Sequence, residues 1–122
     1  MARYRLSDPA KDDIAAILRT SEDRHGIEAR IRYRACLTAA MRHIATDPQG
    51  PSTVQRSELL AGIRSFHIRH SRAASRERPV GDPVHVIFYR ADEPGLVEII
   101  RVLHDRMEPG RHFGQDPEQE PN

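Results

Sequence analysis

The chain has 122 residues, 30% of them charged, with a formal net charge of +1 and a hydrophobic fraction of 38% that includes no Trp. That length predicts one domain with a small aliphatic core, and the near-balanced charge excludes a molecule that seeks polyanions as a whole. A lone cysteine, Cys36, excludes an internal disulfide. No apolar run reaches the ~18 residues that cross a bilayer, and the opening Met1-Ala2-Arg3-Tyr4-Arg5 lacks the apolar stretch of a signal peptide. A cytoplasmic domain without membrane attachment is the expectation.

In chain order, Arg3-Tyr4-Arg5-Leu6 alternates charged and apolar residues and predicts a short strand. Ser7-Asp8-Pro9 follows, a helix start in which Ser7 or Asp8 caps and Pro9 occupies the first turn. Asp12 and Asp13 put negative charge where the helix dipole favours it. Ile14, Ile17 and Leu18 form an apolar stripe, and Gly26 offers the positive φ of a helix stop. A longer helix is predicted from Glu28 to Thr46, with Tyr33, Cys36, Leu37, Ala40, Met41 and Ile44 on one buried face. Asp47-Pro48-Gln49-Gly50-Pro51 breaks it. The two helices should pack antiparallel as a hairpin.

The second half reads as sheet. Ile63 to His70 alternates, with Arg64, Phe66, Ile68 and His70 on one face and Ile63, Ser65, His67 and Arg69 on the other. Val84 to Arg90 is rich in branched and aromatic residues. Asp92-Glu93-Pro94-Gly95 is a turn, and Leu96 to His104 is nearly continuous in apolar residues, as a central strand covered on both faces would be. The prediction is an α+β domain over residues 1–113: an N-terminal strand, a helical hairpin, then a three-stranded antiparallel sheet. Residues 114–122 hold nothing apolar and are expected to form a disordered acidic tail.

Short signatures then line up along the chain. Tyr4-Arg5-Leu6-Ser7 with Ala10 and Asp13-Ile14, His43-Ile44-Ala45-Thr46-Asp47-Pro48, Glu58-Leu59 and Gly62-Ile63-Arg64-Ser65-Phe66 come in order. Val86-Ile87-Phe88-Tyr89-Arg90, Val97 to His104 and Arg111-His112-Phe113 complete the series. Together they resemble the ParE branch of the RelE/ParE superfamily of toxin–antitoxin toxins over residues 4–113. One stretch departs from the family: Ser71 to Pro83 is a long insertion where relatives have a tight turn.

The resemblance implies a type II toxin that inhibits DNA gyrase by binding. It also implies a cognate antitoxin, whose amphipathic tail lies across this domain in a hetero-oligomer. The RelE branch of the same superfamily instead cleaves mRNA on the ribosome, which requires a base, a cationic phosphate ligand and an acid. Glu58, Arg64 and His104 could supply such a set. Lys11 belongs to the first helix, away from the sheet, and no Tyr follows Tyr89, so the last aromatic is Phe113. A non-toxic antitoxin-binding module is the third reading.

No cofactor or metal is implied. His67 and His70 are three apart on a predicted strand and point to opposite faces, and Cys36 falls on an apolar helix stripe as a small core residue. From Ile63 to Arg90 there are six arginines (64, 69, 72, 76, 78 and 90) against Glu77 and Asp82, a local 6 − 2 = +4. That excess suits an acidic segment. Without interleaved aromatics it does not favour direct nucleic-acid binding. The residues selected for target or antitoxin contact are Arg64, Arg69, Arg101, His104, Arg106 and Arg111.

Overall fold

The computed structural model describes residues 2–74 and 81–113. The predicted acidic tail 114–122 lies outside the described residues, as does the middle of the 71–83 insertion. The order is β1 (Arg3–Leu6), α1 (Asp8–His25), α2 (Ile27–Thr46), β2 (Thr53–Gln55), β3 (Arg64–His67), a 3-10 helix (Ile68–Ala74), β4 (His85–Glu93), β5 (Leu96–His104) and a 3-10 turn (Pro109–Arg111). The strands form one sheet in the order β1-β5-β4-β3-β2. β1 runs parallel to β5, and every other pairing is antiparallel.

The sheet is therefore five-stranded and mixed, where a three-stranded antiparallel sheet beside a separate N-terminal strand was expected. The extra strand, β2, is three residues long and pairs Val54 with Ser65. Such a short piece has too few positions to show a period. The expected strand from Ile63 to His70 is also cut short. After His67 the chain coils into the 3-10 helix, with Ile68 fully buried and its carbonyl 3.7 Å from the Cys36 thiol of α2.

Ser7 starts α1 with extended backbone, and its Oγ accepts the Ala10 N–H at 3.1 Å while its hydroxyl donates to the Ile100 carbonyl at 2.7 Å. Gly26 is the entire corner between the helices. At φ 93° its N–H donates to the Glu22 carbonyl and its own carbonyl accepts from Arg30, a conformation natural only for glycine. A one-residue corner forces the two helices back against one another.

α2 lays Leu37, Ala40 and Ile44 on the sheet, where they meet Phe66, Ile87, Tyr89, Val97 and Ile99. The other face of the sheet carries a smaller cluster of Ile63, Phe88, Leu103 and Phe113, so the C-terminal segment folds back under the strands. β5 is thus internal and covered on both faces, although the central position belongs to β4.

A register shift between Phe88 and Tyr89 leaves Ile100 as an extra residue in β5, since Phe88 opposes Arg101 and Tyr89 opposes Ile99. β1 ends opposite Ile99, and beyond that point α1 takes over the open edge. The Ser7 N–H donates to the Ile99 carbonyl at 2.9 Å, and the Asp13 carboxylate accepts the Val102 N–H at 2.9 Å. An edge that would otherwise invite another strand is closed by Ser7 and the Asp13 side chain.

Candidate functional site

One groove of about 750 Å³ opens where the tip of the helical hairpin overhangs the end of the sheet. α1 contributes Ile17 and Arg24, α2 contributes Ala29 and Arg32, and Val84 and Met107 close the sheet side. Tyr33, His85 and His104 also line it, as does Asp82, the one acidic residue of the lining among the described residues. Apolar wall with arginines and imidazoles along it is the chemistry the sequence anticipates for an acidic amphipathic segment. The helices supply the overhang because the Gly26 corner carries the hairpin past the last sheet residues.

The polar floor is tightly specified. The Tyr33 hydroxyl accepts the Val84 N–H at 3.1 Å and donates to His85 Nδ1 at 2.5 Å. Burial pushes the Tyr33 hydroxyl up to about 12 and depresses His85 to about 4. His85 is therefore neutral at pH 7, with Nδ1 free to accept. Its cross-strand partner His104 meets it edge to face at 5.6 Å.

A His-x-Arg pattern occurs at the ends of two strands, His67-Ile68-Arg69 and His104-Asp105-Arg106. In each, the histidine Nδ1 accepts the backbone N–H of the arginine at 3.1 Å. That bond assigns the neutral ring proton to Nε2. His67 Nε2 then donates to Asp105 Oδ2 at 3.0 Å, which holds the Asp105 carboxyl below its usual range. Asp105 Oδ1 also lies 3.3 Å from His104 Nδ1, but no hydrogen bond forms there because Nδ1 already accepts the Arg106 N–H. The repeated triplet is visible in the sequence, but only the register shows that its two copies end side by side.

The six selected residues fall into two groups. His104 lines the groove, and Arg69, Arg106 and Arg111 are exposed. Arg64 and Arg101 are engaged within the fold. Arg64 is half-buried and donates to Thr53 Oγ1 at 2.8 Å, whose hydroxyl passes on to the Gly50 carbonyl. Arg101 makes a two-pronged ion pair with Asp13 at 2.8 and 2.9 Å, the side chains only 22% and 14% exposed. Arg24, Arg32, Tyr33 and His85 are the groove residues that sequence reading missed. Their alignment depends on where the hairpin tip sits over the strand ends.

Glu58, Arg64 and His104 are not brought together. Glu58 pairs with Arg56 at 2.7 Å, and the Arg56 guanidinium lies over the Phe88 ring on the face away from the helices. Arg64 is level with Tyr89, whereas His104 is level with His85, four positions or about 13 Å along the strand. Tyr89 is fully buried with its hydroxyl donated to the Pro48 carbonyl.

The fold is a small α+β domain with a groove between its helical hairpin and the end of its sheet. The chain matches the family described as the ParE toxin of the type II toxin–antitoxin system, parDE, over residues 4–109, and it belongs to that family. It is similar to Toxin ParE1 of Caulobacter vibrioides, 39% identical over 115 residues, covering 93% of this chain and all of the relative. Toxin ParE1 of Mycobacterium tuberculosis is 27% identical over 116 residues, covering 92% and 98%. A structure of the chromosomal ParDE system from P. aeruginosa shares the fold, with a TM-score of 0.58 at 15% identity, over 85% of this chain and 96% of that one. Among the described residues, no helix is long and apolar enough to cross a membrane.

Proposed function

We propose that this toxin arrests DNA gyrase by binding it, and that a cognate antitoxin neutralises it by laying an acidic amphipathic segment in the groove. The groove carries the second half of this reading. Ile17, Ala29, Val84 and Met107 offer apolar contact, and Arg24 and Arg32 offer charge against the carboxylate of Asp82. A partner with carboxylates along one side of an apolar helix face matches that layout. Membership of the ParE family supports the gyrase target, and so does the separation of Glu58, Arg64 and His104. Within the reading, His104 serves the antitoxin, and the exposed Arg69, Arg106 and Arg111 serve as charged contacts. Arg64 and Arg101 act by holding the surfaces that carry those contacts.

The test is a supercoiling assay with purified toxin and gyrase, run beside pulsed expression in bacteria that follows DNA synthesis and transcript integrity. Inhibited supercoiling, with early loss of DNA synthesis and intact transcripts, is the expected result. Rapid transcript cleavage would overturn it.

A further inference from the structure

Two histidines stand side by side on the groove floor with their outer nitrogens unused. His85 and His104 are cross-strand partners, and both line the groove. They project from the helix-bearing face of the sheet, the face that Ile87 and Tyr89 continue along β4 and Val102 along β5. Each ring is held by its inner nitrogen. His85 Nδ1 accepts the Tyr33 hydroxyl and His104 Nδ1 accepts the Arg106 N–H, so both rings carry their proton on Nε2. Neither Nε2 meets a hydrogen-bond partner among the described residues. The buried side-chain polar atoms without a partner there are Arg64 Nε and Ser71 Oγ, so the two Nε2–H groups are not sealed in the core but open to the groove. The Tyr33 hydroxyl beside them is already occupied, accepting the Val84 N–H and donating to His85. These three side chains therefore offer the groove two donors and no free acceptor.

We propose that His85 and His104 form a two-donor subsite that takes one carboxylate of the segment bound in the groove. This rests on the groove reading above and names the group that anchors its partner. A carboxylate accepts at two oxygens and donates nothing, which matches a pair of N–H groups on adjacent strands. The charges around the pair favour an anion. Asp105 is bonded to His67 and Asp13 to Arg101, so neither carboxylate is free to fill the subsite. Arg24 and Arg32 line the same groove, and neither is taken up in an ion pair among the described residues. Against them stands Asp82. A backbone carbonyl of the partner would reach the Nε2–H groups but bring no charge to the two arginines.

The experiment measures binding of the antitoxin encoded with this toxin to four full-length forms of the chain. These are the unaltered protein, Arg32→Glu elsewhere in the groove, His104→Asn and His104→Gln. Asparagine keeps an acceptor near Nδ1 for the Arg106 N–H and removes the outer donor, whereas glutamine restores a donor near Nε2. We expect His104→Asn to lose roughly tenfold in affinity, the worth of one hydrogen bond to a charged group, and His104→Gln to lose at most about threefold. Imidazole NMR spectra, which a merely structural role would leave unmoved, should show the His85 and His104 Nε2 protons shifted downfield and protected from exchange in the complex. One Asp or Glu of the antitoxin, changed to Asn or Gln, should abolish that shift, and its cost should vanish against His104→Asn. If Arg32→Glu weakens binding while His104→Asn does not and the spectra stay unmoved, the subsite is wrong and the groove reading stands. A shift that survives every such change in the antitoxin identifies a carbonyl acceptor and overturns the carboxylate. If neither Arg32→Glu nor His104→Asn weakens binding, both readings are overturned.

Discussion

Asp13 does more for this fold than a charge at a helix start. Its carboxylate accepts the Val102 N–H and both prongs of Arg101, at an edge where β1 has already ended. Removing it leaves a strand N–H and a guanidinium without partners, whereas removing Arg101 leaves Asp13 its backbone bond. Asp13→Ala should therefore lower stability by about 3 kcal/mol, and Arg101→Ala by less, about 1–2 kcal/mol. Urea midpoints of the two variants would show it, and an Arg101 variant that fell further than Asp13→Ala would contradict the edge-capping role. His85 yields a pH prediction. Its native value of about 4 lies below the ordinary 6.5, so between those values the unfolded chain takes a proton that the folded one refuses. Stability should fall as pH drops from about 6.5 toward 4, by roughly 1–2 kcal/mol after allowance for its partial exposure. In His85→Gln, denaturation curves taken between pH 7 and 4.5 should lose much of that slope.

The C-terminal segment is held as firmly as a strand although it is not one. Asp105 ties it to His67, and the Asp105 N–H donates to the Val84 carbonyl at 2.7 Å. Phe113 then packs against Phe88 with ring centroids 5.2 Å apart. Phe113→Ala should cost about 3 kcal/mol and open the far face of the sheet to a hydrophobic dye. Unchanged thermal stability would mean that the segment is only loosely laid on. The sequence disclosed elements of this kind unevenly. The hairpin, β4 and β5 were legible because long apolar periods and the Asp47–Pro51 break mark them. β2 was not, and neither was the turn to 3-10 geometry at Ile68, because alternation continues through His70 while α2 draws Ile68 inward. His104, selected from the sequence, lies in the groove lining. Arg64 and Arg101 were selected for their charge, but their pairing with Thr53 and Asp13 depends on contacts between residues 11 and 88 positions apart.

At the scale of the molecule, a net charge of +1 coexists with a groove whose cations, among the described residues, outnumber its one acid. Attraction of an acidic partner should therefore be short-ranged, since the Debye length is about 8 Å at physiological salt. Raising salt from about 50 to 500 mM should slow antitoxin association several-fold and leave dissociation nearly unchanged. A stopped-flow series reads both rates, and dissociation that sped up in step with salt would argue for a complex held mainly by ion pairs.

The parallel pairing of β1 with β5 joins Tyr4 to Val97 and Leu6 to Ile99. β1 thus finds its neighbour only once β5, far along the chain, is available to it. Local contacts let the hairpin form early, but closing a loop of this length is slow and comes late. The sheet is completed only when this long-range pairing forms, after the helical hairpin. The groove wall shares that dependence, since His104 at the end of β5 and Met107 just beyond it both line it.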